Sequence, residues 1–105
     1  GGVEVAAVAL QPGDPARGQE IFLKHPTGAC ILCHALKGQG SAVGPPMDAV
    51  ATRQNAEYLR RSMLEPNAEL AKGYEYLQVS PMPPMGLILQ PQEIEDVLSF
   101  LGSLK

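Results

Sequence analysis

The 105-residue sequence has only two cysteines and two histidines. Its eight lysines and arginines stand against eleven aspartates and glutamates, so the basic footprint of a nucleic-acid-binding domain is missing. No apolar run approaches the roughly 20 residues of a membrane span, and no charged leader followed by an apolar stretch indicates a signal peptide. These absences predict one small domain that neither binds nucleic acid nor spans a membrane.

Both cysteines lie in the pentapeptide Cys30-Ile31-Leu32-Cys33-His34. This is the C-x-x-C-H signature of covalent c-type haem attachment. Residues three apart lie on one side of a helical turn, so both thiols can reach one planar ligand. His34 would then lie beneath the iron as its proximal ligand. A chain of this length buries only a modest core, and an apolar macrocycle would supply part of its interior.

Three other interpretations of the pentapeptide are weaker. A zinc site would need more cysteine or histidine ligands, and His25 is the only other candidate. A thioredoxin-like redox pair is expected near a β-α-β pattern, which the neighbouring sequence lacks. A structural disulfide would suit an oxidising compartment but leaves His34 unexplained. Because His25 lies only five residues before Cys30, we expect it in a solvent-exposed loop rather than on the opposite face of the iron.

Abundant proline and glycine, ten and eleven residues, predict many turns and short helices. Helix signals occur at about residues 15–24, 56–64 and 91–104. The first segment opens with Asp14 as N-cap followed by proline, and the last presents a broad apolar face. We expect the last helix to pack across the first at Gly18 and Phe22.

A second stretch, from Ser80 to Gly86, holds two methionines between prolines. Such a segment can place a soft thioether opposite the histidine, and His/Met coordination raises the reduction potential of a haem. Met82 is the expected iron ligand and Met85 the alternative. The carbonyl of Pro45, in a Gly-Pro turn after the pentapeptide, is the candidate acceptor for the second ring nitrogen of His34.

With these stretches in place, the sequence resembles the class I c-type cytochromes over residues 14–105. The matching features are Gly18-x-x-x-Phe22, the pentapeptide, Gly44-Pro45, Met82-Pro83-Pro84 and Phe100-Leu101. The resemblance implies an all-α cytochrome c fold of about four or five short helices around one covalently bound haem c. It implies thioethers from Cys30 and Cys33, with His34 as the proximal ligand and the Pro45 carbonyl as its acceptor. Met82 fits the family's ligand register better than Met85, because it immediately precedes a Pro-Pro pair.

The resemblance implies a one-electron carrier between a donor and an acceptor redox protein rather than an enzyme. The alternative is a haem c domain or subunit of a larger redox enzyme, to which the chain would be tethered. The sequence also resembles the small monohaem subunit of thiosulfate-oxidising complexes and the haem domains of dehydrogenases and terminal oxidases. A peroxidase or gas sensor would need an open distal position, which the methionine segment disfavours.

Covalent haem attachment implies a periplasmic or otherwise extracytoplasmic location. Residues 1–13 are interpreted as an N-terminal segment or linker before a haem domain over residues 14–105. The apolar residues 3–10 within it suggest a remnant linker, a short strand or a docking segment, and eight residues do not decide among these. For contact with redox partners we expect a small apolar surface. Its expected residues are Ala29, Ile31, Pro83, Pro84 and Met85.

Overall fold

The computed structural model describes residues 10–105, so most of the predicted N-terminal segment lies outside the described residues. This part of the chain forms three α-helices, α1 (Pro15–Lys24), α2 (Ala56–Leu64) and α3 (Pro91–Gly102). It also forms single 3-10 turns at Cys30–Leu32, Val50–Thr52, Glu75–Leu77 and Met85–Leu87, and no strand. The all-α prediction is confirmed, with short 3-10 turns in place of further α-helices.

Local capping explains where the helices begin and end. The carboxylate of Asp14 accepts hydrogen bonds from the backbone amides of Ala16 and Arg17, at 2.9 and 3.4 Å. The N-cap of α2 is Asn55, whose Oδ1 accepts from the Tyr58 amide at 2.7 Å. Both helices have the predicted bounds because these signals are local. Helix α3 ends at Gly102, two residues earlier than predicted.

The core lies where α1 crosses α3, at the predicted glycine. A β-carbon on Gly18 would stand 1.9 Å from the carbonyl oxygen of Asp96, so only glycine allows this approach of the two backbones. One turn further along, the Phe22 and Phe100 rings meet edge to face with centroids 5.6 Å apart. Val97 is fully buried beside them. The crossing therefore fixes α1 against α3.

Residues 11–14 run along α3 before α1 begins. The amide of Gln11 donates to Gln92 Oε1 at 2.8 Å, and the amide of Asp14 donates to the buried carboxylate of Asp96 at 2.9 Å. Residues 11–13 therefore contact the domain directly, although the boundary at residue 14 stays a prediction. Across residues 10–105 we find no helix long and apolar enough to cross a membrane.

An ion pair joins α2 to α3. The guanidinium of Arg60 donates two hydrogen bonds of 2.7 Å to the two carboxylate oxygens of Glu95. These bonds lower the pKa of Glu95 and raise the pKa of Arg60. Arg60 is largely exposed, so the pair contributes about 0.5 to 1 kcal/mol.

Candidate haem site

The two cysteines lie on one short turn at the edge of the domain. The amides of Cys33 and His34 both donate to the carbonyl of Cys30, at 3.1 and 2.9 Å, so the motif closes a single helical turn. Cys33 is exposed and Cys30 is half-buried. Burial raises the pKa of the Cys30 thiol to about 11. Both cysteines border the same small cavity.

The imidazole of His34 is oriented by the turn that follows. Its Nδ1 lies 2.7 Å from the carbonyl oxygen of Pro45. A carbonyl can only accept, so Nδ1 carries the hydrogen and Nε2 keeps a free lone pair for a metal. A β-carbon on Gly44 would lie 2.4 Å from Cε1 of the ring, so the glycine lets the chain pack flat against it.

Backbone hydrogen bonds tie this turn to the haem motif. The Gly44 amide donates to the Cys33 carbonyl at 2.7 Å, and the Met47 amide donates to the Ala35 carbonyl at 2.8 Å. These bonds lie on either side of the contact between His34 and the proline carbonyl. The histidine is therefore held by a loop that is itself fixed at both ends.

Side chains hold the far side of the same loop. Arg53 donates to the carbonyl oxygens of Pro46 and Asp48, at 2.9 and 2.5 Å. The carboxylate of Asp48 in turn accepts from the Lys37 amide at 3.0 Å. The role of Arg53 was not predictable from the sequence, because its acceptors are backbone carbonyls, which leave no residue pattern.

The methionine segment, residues 80–86, contributes Met82 to the same two cavities that His34 lines. The amide of Met82 donates to Ser80 Oγ at 3.1 Å, and the amide of Ser80 donates to Asn67 Oδ1 at 2.7 Å. Met82 is half-buried, whereas Met85 is buried and packs within the hydrophobic core. The two methionines therefore have different environments.

Two cavities adjoin these groups. The larger has a volume of about 450 Å³ and a mainly apolar wall, with Arg53, Lys72 and Tyr74 among its polar residues. The smaller, of about 120 Å³, is bordered by both cysteines. His34 and Met82 line both cavities. A largely apolar space with two thiols at one edge, a free imidazole nitrogen and a thioether has the donors and the lining that a haem c requires.

Comparison with known proteins agrees with this geometry. The family model for cytochrome c matches residues 15–105. The chain belongs to the cytochrome c family. It is therefore an electron-transfer protein that binds haem c covalently.

A solved structure shows the same fold. One chain in the crystal structure of SoxXA from P. pantotrophus superimposes with a TM-score of 0.69 at 23% sequence identity. The alignment covers 90% of this cytochrome and 84% of that chain. A search of curated proteins found no match.

The structure brings the predicted site residues of the cytochrome together around the two cavities. Cys30, Cys33 and His34 lie on one edge, Pro45 contacts the histidine, and Met82 lines both spaces. Met85 borders only the smaller cavity. Among the described residues there is no cluster of three or more histidine, cysteine or acidic side chains that could hold a bare metal ion.

The exposed apolar surface of the cytochrome differs from the expected one. Ala29 and Met85 are buried, at 9% and 5% exposure, because they pack inward. Leu32 and Leu87 are exposed instead, at 64% and 83%. Leu32 borders the smaller cavity, next to the exposed Cys33. The apolar surface at the cysteine edge therefore includes Leu32 but not Ala29 or Met85. Pro83 and Pro84 are exposed as expected, and Ile31 is half-buried.

Proposed function

We propose that this cytochrome is a one-electron carrier between two redox proteins, with His34 and Met82 as the two axial ligands. The observation that carries this proposal is that both side chains line both cavities. The haem iron supplies the one-electron couple. If His34 and Met82 both held the iron, no coordination position would remain for a substrate, which favours a carrier over an enzyme.

The remaining residues have distinct roles in this proposal. Cys30 and Cys33 form thioethers and so fix the edge of the macrocycle. The Pro45 carbonyl accepts the Nδ1 hydrogen of His34, which fixes the ring orientation and increases its basicity as a ligand. Met85 is the alternative distal ligand, and its burial in the core favours a packing role.

Electrons would enter and leave near the cysteine edge. Leu32, Pro83 and Pro84 are exposed and uncharged there, and Cys33 is exposed beside them. A small apolar surface suits brief encounters, because it buries too little area for a stable complex. We propose a periplasmic or otherwise extracytoplasmic location, in keeping with covalent haem attachment.

The second candidate is a haem c subunit or domain of a larger redox enzyme, such as one for sulfur-compound oxidation, a dehydrogenase or a terminal oxidase. The sequence resemblance to the small monohaem subunit of thiosulfate-oxidising complexes favours it. Size-exclusion chromatography of native extract, followed by haem absorbance, separates the candidates. Elution as a lone monomer supports the carrier, and elution in a stable complex supports the subunit.

Ligand identity is tested by carbon monoxide binding to the reduced holoprotein. We expect wild type to bind slowly or not at all, because methionine holds the distal position. Met82→Ala should bind at once and lose the sulfur-to-iron charge-transfer absorption of the oxidised form.

Met85→Ala is the matched control for this experiment. It should keep the charge-transfer absorption while losing about 2 to 5 kcal/mol of stability, because it empties part of the core. Prompt carbon monoxide binding by wild type would refute the carrier proposal. If Met85→Ala alone opens the iron, Met85 is the ligand.

A further inference from the structure

His25 is not the exposed loop histidine that the sequence predicted. Its side chain is only 14% exposed, and the residue forms the C-cap of α1. Its Nδ1 accepts hydrogen bonds from the amides of Gly28 and Thr27, at 2.9 and 3.2 Å. A nitrogen that accepts carries no hydrogen, so the ring hydrogen of the neutral form is on Nε2. The imidazole thus closes the turn that leads into the haem motif.

The closed turn packs against the methionine segment. Gly28 is buried, and a β-carbon there would lie 2.8 Å from Ile88 Cγ2 and 3.3 Å from the Met85 methyl carbon. Gly28, whose amide donates to His25, therefore contacts Met85 and Ile88, which follow Met82 in the chain. The same residue lies two positions before Cys30. The turn closed by His25 thus adjoins both the cysteines and the methionines that line the smaller cavity.

The other side of the ring faces α3. His25 Nε2 lies 3.7 Å from Glu93 Oε2, and Arg17 Nη2 lies 3.8 Å from the same oxygen. The other carboxylate oxygen of Glu93 accepts from the Gln90 amide at 2.9 Å, within the capping box of α3. Glu93 is thereby fixed in place, and the ring is held between the end of α1 and the start of α3.

We propose that His25 is a positioning residue that sets the distance between the cysteine turn and the methionine segment. The two amide hydrogen bonds fix the turn, and the packing of Gly28 transmits that geometry to Met85 and Ile88. The effect of His25 on iron ligation by Met82 rests on the proposed function. The role of His25 in closing the turn at Thr27 and Gly28 is independent of the proposed function.

Two variants separate the hydrogen bonds from the bulk of the ring. In His25→Asn the side-chain oxygen is as many bonds from the backbone as Nδ1, so it can accept from the same amides as an Asx turn. It loses the contact with Glu93. In His25→Phe the ring volume stays but the acceptor is gone, which leaves the amides of Thr27 and Gly28 without a partner.

The first measurement is amide hydrogen exchange and methyl chemical shift by NMR on the holoprotein. We expect the Gly28 amide to exchange about tenfold faster in His25→Phe, and the Met85 methyl resonance to move. His25→Asn should stay within about twofold of wild type in exchange at Gly28. Equal exchange in His25→Phe and wild type, or equal loss of protection in both variants, would overturn the proposal.

The second measurement is the rate of carbon monoxide binding to each reduced variant. We expect about a tenfold faster rate in His25→Phe than in wild type, and restoration by His25→Asn. An unchanged rate in His25→Phe would refute transmission to the methionine side. If wild type itself binds at once, the axial-ligand proposal fails, and the role of His25 in the turn is decided by exchange and the methyl shift alone.

Discussion

Replacing Gly18 by alanine should destabilise the cytochrome by forcing α1 and α3 apart. The new β-carbon would lie 1.9 Å from the carbonyl oxygen of Asp96 and 2.9 Å from the β-carbon of Phe100. The first of these atoms is helical backbone, which cannot swing away as a flexible side chain can. The helices must therefore separate or shift.

The magnitude follows from opposing effects. Overpacking a core contact costs about 1 to 3 kcal/mol. Separation also weakens the edge-to-face pair of Phe22 and Phe100, which contributes about 0.5 to 1.5 kcal/mol beyond its buried area. Alanine favours a helix over glycine by about 1 kcal/mol. Because the clash is with backbone, we expect the upper part of the range, a net loss of about 2 to 3 kcal/mol.

Urea unfolding of the holoprotein, followed by far-ultraviolet circular dichroism, measures this loss. With a slope of about 1 to 3 kcal/mol per molar, the midpoint should fall by about 1 M. Gly102→Ala is the matched control, because nothing lies within 4 Å of the β-carbon it would add at the end of α3. It should be neutral or slightly stabilising. A midpoint for Gly18→Ala at or above that of wild type would show that the helices do not rely on this contact.

Two further variants test the ion pair and the ring contact. Glu95→Gln should cost about 0.5 to 1 kcal/mol in urea unfolding at pH 7. Hydrogen bonds from Arg60 lower the pKa of Glu95, so the pair stabilises fully above the ordinary glutamate pKa of about 4.3. The difference between Glu95→Gln and wild type should shrink as the pH falls below that value and vanish only below the lowered pKa, and a constant difference would refute this cause. Gly44→Ala should displace the His34 ring, change the visible spectrum and cost about 1 to 3 kcal/mol, whereas Gly86→Ala, with its nearest contact at 3.5 Å, should match wild type.

What could be predicted from the sequence depended on short-range signals. The bounds of α1 and α2 follow from caps and prolines within a few residues, and both agree with the structure. The crossing at Gly18 was predictable because one small residue on an apolar helix face allows close approach. The last helix was predicted too long, since its apolar spacing continues through Leu104 while the helix ends at Gly102.

The environment of His25 could not be predicted in the same way. Its burial depends on Glu93, which lies 68 positions later, and on a turn whose hydrogen bonds are made by backbone amides. Nor does the sequence show that Met85 packs inward while Leu87, two residues later, is 83% exposed. A 3-10 turn at Met85–Leu87 decides this, and its sequence has no strong signal.

The two sides of the candidate haem site are held by different kinds of contact. The loop around His34 is fixed by backbone hydrogen bonds from Gly44 to Cys33 and from Met47 to Ala35, the residue that follows the histidine. Met82 is held through the side chains of Ser80 and Asn67. Because single side-chain bonds open more readily than a set of backbone bonds, local unfolding should reach the methionine side first. The Gly28 turn therefore contacts the methionine segment, which is the side of the site that fewer backbone hydrogen bonds hold in place.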